Sequence, residues 1–371
     1  MSVLVLSVSA VGLLAGQGLD EDQFVVVAYC HGRRINLESY PLEKLTHINY
    51  SFLHLRGNEL YVDESRQGKA IGRMVALKQS HPDLKIILSF GGWGGCATCS
   101  DVFSTEEARK AFAASVMGIL EQYGADGIDL DWEYPAIEGY PGHRFAPADK
   151  RNFTLLIREL RQALGNDREV TFAAGASPTY LENSVEWMEV MQLVDRVYLM
   201  TYDMVNGIST VTGHHTPLFS TPGQKESADF AVHYLDSLGI PHEKIVIGAA
   251  FYARMWEDVD SAEHGLFQPG TFRAFVNFRD FEERLNEENG FVFYWDSVAQ
   301  APYAYNPTER LFATFDDRRS VALKTEYAMT NRLGGIMFWE LTGDRFANGL
   351  LDAIDRARKG VIPPSSGRHE D

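Results

Sequence analysis

Cysteine is scarce: Cys30, Cys96 and Cys99 are the three in 371 residues. So small and odd a number excludes a scaffold built on disulfides, and a four-cysteine zinc site with it. Basic residues are also short, 34 Lys plus Arg against 51 Asp plus Glu, for a formal net charge of −17. A chain that acidic repels nucleic-acid phosphates and anionic membrane surfaces, and no local basic patch offsets the balance. Long apolar runs are missing except for Val3 to Ala15, which is too short for a comfortable transmembrane helix. That run fits the hydrophobic part of an export signal over residues 1–18, although no Lys or Arg precedes it. Leu14-Ala15-Gly16 is followed by Gln17, where a lipoprotein cleavage site needs Cys. A secreted, periplasmic or cell-surface location without lipidation is therefore expected. Internal repeats and low-complexity linkers are lacking as well. The 361–371 tail, with Pro363-Pro364-Ser365-Ser366, has nothing to bury and reads as a frayed end.

Aromatic residues, by contrast, are plentiful at 12%, with 22 Phe, 16 Tyr and 6 Trp. Much of that belongs in a core, but surplus Trp and Tyr also suit flat, uncharged ligands. The length favours one large α/β domain carrying an insertion. Short β-branched and aromatic runs recur at 24–30, 47–52, 85–90, 127–132, 170–174, 196–201, 245–250 and 335–339. Helix-like stretches such as 106–123, 150–164 and 228–238 lie between them. Eight alternations of strand and helix predict a parallel (β/α)8 barrel, class α/β. The excess length sits between the seventh and eighth runs, where Phe291-Val292-Phe293-Tyr294-Trp295 reads as a further strand. A barrel over 19–252 and 317–360 with a small α+β insertion at 253–316 follows. Cys96-Ala97-Thr98-Cys99 has redox-motif spacing but follows a glycine-rich turn, so a local bridge and idle free thiols both stay open.

Asp126-Gly127-Ile128-Asp129-Leu130-Asp131-Trp132-Glu133-Tyr134-Pro135 is the most informative segment. Side chains alternate along a strand, so Asp129, Asp131 and Glu133 share one face, and Ile128, Leu130 and Trp132 the other. The acids then point into the barrel, where three carboxyls in a row are costly and serve folding poorly. They cannot all ionise cheaply, so at least one should hold a proton at neutral pH, as a general acid requires. Glu133 falls at the C-terminal strand end, where barrel enzymes keep their active sites. Binding of Mg²⁺ or Ca²⁺ is a competing use of such acids, but metal ligands would normally come from different strands. Asp126, just before the strand, suits a structural role.

This spacing, DxxDxDxE followed by Tyr134-Pro135, resembles glycoside hydrolase family 18, the chitinase family. Further segments resemble the same family in order: Ser89-Phe90-Gly91-Gly92-Trp93, Met200-Thr201-Tyr202-Asp203, Phe251-Tyr252-Ala253-Arg254 and Gly334 through Glu340. The insertion is similar to the α+β domain of deep-groove bacterial-type chitinases. The resemblance implies catalysis by Glu133, Asp131, Asp129 and Tyr202 with no metal or organic cofactor. It implies substrate contacts from Asp203, Trp339, Trp93, Tyr29, Phe52, Met200, Arg254 and Tyr134. The implied partner is chitin or a chitooligosaccharide, handled by a monomer. Read as plain residues, Tyr29 and Phe52 suit core packing as well as the cleft, core packing is the lesser reading for Tyr202 and Trp339, and Arg254 suits the cleft better than an ion pair with a structural acid. Ser89 and its neighbouring glycines suit a tight turn.

One departure from the family bears on the substrate. Many relatives carry Trp shortly after the Tyr-Asp pair, whereas Met204-Val205-Asn206-Gly207-Ile208 follows here. Soluble oligosaccharides are therefore favoured over crystalline chitin. Trp93, Trp256, Tyr303 and Tyr305 are candidate stacking platforms, while Trp132 alternates onto the outer face. His214 and His215 either line the leaving-group side or pair with Asp residues. An endo-β-N-acetylglucosaminidase acting on N-glycans and a non-catalytic chitin-binding lectin are the competing functions. The intact acid at Glu133 argues against the lectin.

Overall fold

The computed structural model describes residues 24–32 and 36–361. The export segment expected at 1–18 and nearly all of the tail expected at 361–371 lie outside the described residues. Fourteen strands are present among them: β1 Val25–His31, β2 His47–Arg56, β3 Glu59–Tyr61, β4 Lys85–Gly91, β5 Gly127–Asp131, β6 Glu169–Gly175 and β7 Arg196–Met200 come first. β8 Ile245–Ala250, β9 Tyr252–Glu257, β10 Thr271–Asn277, β11 Val292–Asp296, β12 Ala301–Asn306, β13 Leu311–Thr314 and β14 Gly335–Trp339 follow.

Eight of these close a barrel in the order β1-β14-β8-β7-β6-β5-β4-β2, and β1 pairs with β2 to complete the ring. Every neighbouring pair is parallel, so each crossover runs over the outside, as the strand–helix alternation requires. The eight expected runs coincide with the eight barrel strands. β2 extends beyond its expected end and folds back on β3 as an antiparallel hairpin, which the sequence reading did not anticipate.

The helix Glu106–Tyr123 shows how local chemistry sets an element. Thr105 accepts from Ala108 N–H at 3.3 Å as N-cap, and Glu106 and Glu107 occupy the positive N-terminal turn. Gly124 ends the helix at φ 73°, a left-handed conformation that costs glycine little. Val116, Leu120, Phe112 and Ala113 of this helix belong to the same buried layer as Ile128, Leu130 and Trp132 on the outer face of β5.

Inside the barrel, Val25, Val27, Tyr29, Ala173, Tyr198, Met200, Tyr202 and Met337 form a separate core. The end of the barrel at the strand starts is closed by charge. Glu169 accepts from His47 Nε2 at 3.2 Å and Arg196 Nη1 at 3.0 Å, and it also binds Lys85. Asp126 proves structural: it accepts from Ile86 N–H at 2.8 Å and Lys78 Nζ at 2.5 Å.

The second sheet, ordered β10-β9-β13-β12-β11, is antiparallel throughout and lies between β8 and β14 in the chain. Its core is Trp256, Val259, Leu266, Tyr303, Tyr305 and Phe312. This corrects an expectation: Trp256, Tyr303 and Tyr305 are buried packing residues, and their faces are not offered to a sugar. Trp256 Nε1–H also donates to Ser209 O at 2.9 Å, tying the sheet to the loop after β7. Where the insertion rejoins the barrel, Lys324 and Asp316 form a fully buried ion pair at 2.7 Å. Cys96 and Cys99 are disulfide-bonded, and Cys30 is a buried free thiol. No helix among the described residues is long and apolar enough to cross a membrane.

Candidate active site

The alternation of β5 turns Asp129 and Asp131 into the barrel, and Glu133 follows two residues beyond the strand end. Asp129 is completely buried and accepts three hydroxyl hydrogen bonds. These come from Tyr29 Oη at 2.8 Å, Ser89 Oγ at 2.7 Å and Thr171 Oγ1 at 2.8 Å. Burial raises its pKa, while those donors work to lower it. The donors come from β1, β4 and β6, whose neighbours in the sheet fix the same height in the barrel. Thr171 escaped the sequence reading, although its inward parity on β6, in register with Asp129, signals it.

Asp131 is nearly as buried and differs in one respect: its Oδ1 has no hydrogen-bond partner. Burial, then the charges of Glu133 and Asp129, hold its pKa well above the usual carboxylate range. Glu133 is half-buried by area but enclosed by protein, and burial pushes its pKa up to about 8. The Asp203 charge adds to that rise, and a hydrogen bond from Tyr134 opposes it. Asp131 and Glu133 titrate as an interacting set, so the proton belongs to the pair. A proton stays within the cluster at neutral pH.

Backbone approach makes the crowding possible. A Cβ at Gly91, whose φ is +105°, would stand 2.2 Å from Asp131 O. Only glycine lets β4 lie this close to the acidic strand.

Around the acids the aromatic residues divide into floor, wall and support. Trp339, half-buried at the end of β14, lies offset-stacked on Phe52 at 5.5 Å between ring centres. Tyr29 lies 5.8 Å from the same indole but is itself buried, with its hydroxyl committed to Asp129. Its place is therefore behind the cleft, supporting Asp129. Trp93 is 54% exposed and stands 6.4 Å from the ring of Tyr134 and 5.5 Å from that of Tyr140. Met200 and Tyr202 close the barrel mouth from β7 and the residues just beyond it, both almost fully buried. The Tyr202 hydroxyl reaches the thioether of Met337 at 3.8 Å, a weak acceptor that leaves its hydrogen-bonding capacity for a ligand.

Asp203 follows at φ 59°, a conformation rare outside glycine and held here by its partners. Its Oδ1 accepts from Tyr252 Oη at 2.6 Å and from Arg254 Nε, and its Oδ2 accepts from Arg254 Nη2 at 2.6 Å. Burial works against its charge, but His215 and Arg254 outweigh it and keep the carboxyl well below its usual range. Arg254 thus pairs with an acid at the cleft rather than standing free in it. His215 takes the second of its two expected roles, beside an Asp, while Tyr252 carries no sequence signal for its role, because it meets Asp203 only when β9 and the loop after β7 pack together. His214 pairs with Asp296 at 3.0 Å, inside the second sheet and away from the acids. Ile208, in the loop after the Tyr202-Asp203 pair, is strongly exposed. Among the described residues no group of three or more His, Cys, Asp or Glu could hold a metal ion.

Buried carboxyls under an open aromatic lip at the C-terminal end of a barrel suit acid catalysis on a neutral, ring-shaped substrate. Known proteins resemble this chain in sequence and in fold. Residues 25–344 match the model of the glycosyl hydrolases family 18. Chitinase A1 of Niallia circulans is 32% identical over 422 residues, covering 92% of this chain and 60% of that protein. The chain thus spans about three fifths of that relative's length. A family 18 N-acetylglucosaminidase from Paenibacillus barengoltzii superposes with a TM-score of 0.82 at 39% identity, covering 90% of this chain and 99% of that one. Chitinase ChiA74 from Bacillus thuringiensis gives a TM-score of 0.85 at 29% identity, covering 92% and 71%. A matched span this long, laid over a barrel with its acids on β5, makes this chain a member of glycoside hydrolase family 18.

Proposed function

We propose that the protein is a chitinase hydrolysing β-1,4-linked N-acetylglucosamine polymers and oligomers with retention of configuration, the substrate itself supplying the nucleophile. The observation that carries this reading is the acid pair: Asp131, buried and with its Oδ1 unpartnered, beside Glu133 at the strand end, an enclosed pair that burial makes hold a proton at neutral pH. Glu133 gives its proton to the glycosidic oxygen as the C1–O bond breaks, and the leaving sugar departs as an alcohol. The acetamido carbonyl oxygen of the same sugar attacks C1, forming an oxazolinium ion. Asp131 accepts the acetamido N–H and stabilises the positive charge that develops there. Water then attacks C1, passes a proton back to Glu133, and reopens the ring. A second carboxylate nucleophile is not needed in this scheme.

Asp129, braced by three hydroxyls, shares the proton inventory of the buried set and lets Asp131 turn toward the sugar. Tyr202 donates its hydroxyl to the acetamido oxygen and fixes it within attack distance. Trp339 and Phe52 form the floor of this subsite, Met200 and Asp203 its side, Arg254 orients Asp203, and Trp93 with Tyr134 borders the cleft. The protein acts as an exported monomer on chitin or soluble chitooligosaccharides.

A second reading within the same chemistry comes from the N-acetylglucosaminidase relative, which shares 39% identity over nearly its whole length. Under it, single N-acetylglucosamine units would be released. Incubation with N-acetylglucosamine hexamer and, separately, a high-mannose glycoprotein tests all of these, with products read by mass spectrometry. Dimers and trimers from the hexamer are the expected result, and monomers alone would favour the second reading. Intact glycans with an untouched hexamer would overturn the substrate.

A further inference from the structure

His215 lies in the loop after β7 and is completely buried, yet neither ring nitrogen has a hydrogen bond of good geometry. Its Nδ1 makes one long polar contact, 3.5 Å to Asp203 Oδ1, the oxygen that also receives Tyr252 Oη. The ring packs on Tyr252 at 5.2 Å, and the backbone N–H donates to Thr314 Oγ1 at 3.1 Å. This imidazole therefore closes the rear of the Asp203 carboxylate, with Arg254 and Tyr252 on its flank. A buried polar ring so placed serves packing poorly.

We propose that His215 is a positioning residue for the reaction: as a neutral imidazole it holds Asp203 against the sugar, and its protonation in acid disables the site. The proposal rests on the reading of Glu133 and Asp203 given above. The groups facing His215 are Asp203 from the end of β7, Tyr252 and Arg254 from β9, and Asp316 beyond β13. Asp316 is already neutralised by Lys324 from the helix Arg318–Thr330. Burial outweighs the neighbouring acids and keeps the imidazole below its ordinary range, so it is neutral at pH 7. Once protonated, it sets a second cation against a carboxylate that Arg254 already neutralises. It then draws Asp203 back from the cleft, and the sugar loses that contact.

Two variants separate donor from titration. His215→Asn keeps an N–H donor near the place of Nδ1 and cannot take up a proton. His215→Phe keeps a ring on Tyr252 and loses the donor. Both are assayed for kcat and KM on N-acetylglucosamine tetramer between pH 3 and 9. His215→Asn should lose only on the order of threefold at pH 7, and its acid limb should lie at lower pH and be shallower by one proton. His215→Phe should lose on the order of tenfold in kcat/KM across the whole range. An acid limb of His215→Asn that superimposes on the parent overturns the proposal, and so does a His215→Phe enzyme at full rate. If His215→Phe fails to fold, the His215→Asn profile decides alone. Glu133→Gln runs in the same assay: full turnover there would refute the reading of the acid, whereas a dead Glu133→Gln with an unshifted His215→Asn refutes only this proposal.

Discussion

At the scale of single residues, the acidic cluster trades stability for chemistry. Glu133→Gln should lose at least about a hundredfold in kcat while still binding oligosaccharide, because an amide has no proton to give. An activated leaving group should restore part of that rate, whereas Asp131→Asn should stay slow on natural and activated substrates alike. Rescue of Asp131→Asn alone would undo this division of labour. Both variants replace a buried carboxyl whose pKa the fold raises at a cost in stability with a neutral amide of the same shape. Their melting temperatures should therefore rise, by roughly 1–3 °C, in scanning calorimetry. On the proposed mechanism the parent's pH–rate profile should have an alkaline limb: turnover should fall as pH rises through about 8, where the Asp131–Glu133 pair gives up its proton. Tyr29→Phe removes one of three donors from Asp129 without touching the cleft, so kcat should drop by roughly tenfold with little change in KM.

At the scale of elements, the joint between barrel and second sheet rests on charge as well as apolar packing. Lys324 reaches from the helix Arg318–Thr330 to Asp316, which also accepts from Ala250 N–H at 2.9 Å, Ser320 Oγ and Thr216 Oγ1. Lys324→Met strands that carboxylate in the interior. The expected loss is about 3–5 kcal/mol in urea unfolding, the penalty for one partner of a buried pair removed. Lys324→Met with Asp316→Asn should recover part of it, since no lone charge is left behind. A purely additive pair of losses would show that the two residues act separately. The Cys96–Cys99 bridge closes a very short loop, so its reduction should cost only about 1–2 kcal/mol by the loop-closure argument.

At the scale of the whole molecule, opposing sets of groups shape stability against pH. Glu169 and Asp203 are held well below their usual range and Asp296 at about 2. Their stabilising contribution is complete above the ordinary carboxylate pKa and is lost as pH falls through the folded values. Asp131, Glu133 and Asp344, the last pushed up to about 6, act in the opposite sense: they cost stability at neutral pH, and that cost fades as pH falls. His47 and His215, kept neutral by burial, resist acid and remove stability below the usual histidine range. The melting temperature should therefore peak between about pH 5 and 7 and fall steeply below about 4. A value still climbing at pH 3 would contradict this balance.

The barrel, its eight strands and the acidic face of β5 were legible in the chain because they depend on periodicity. Alternation alone turns Asp129 and Asp131 inward and Ile128, Leu130 and Trp132 outward, and strand–helix repetition alone implies parallel pairing. A carboxylate series with no folding benefit also marks its own site. Packing between distant segments left no such local trace. Trp256, Tyr303 and Tyr305 are aromatic residues beside a cleft in sequence terms, and only the closing of the second sheet commits them to its core. Arg254 read as cleft lining ahead of an ion pair, and only the meeting of β9 with the loop after β7 made Asp203 its partner. Tyr29 looked like cleft lining, and its hydroxyl bond to Asp129, 100 residues away, placed it behind the site. The sequence by itself determined which acids share the inner face of β5 and the strand end, since side-chain type and strand parity are local properties. The tertiary structure decided which groups hold them in place, because hydrogen bonds and ion pairs between remote strands depend on distances that only the closed barrel creates.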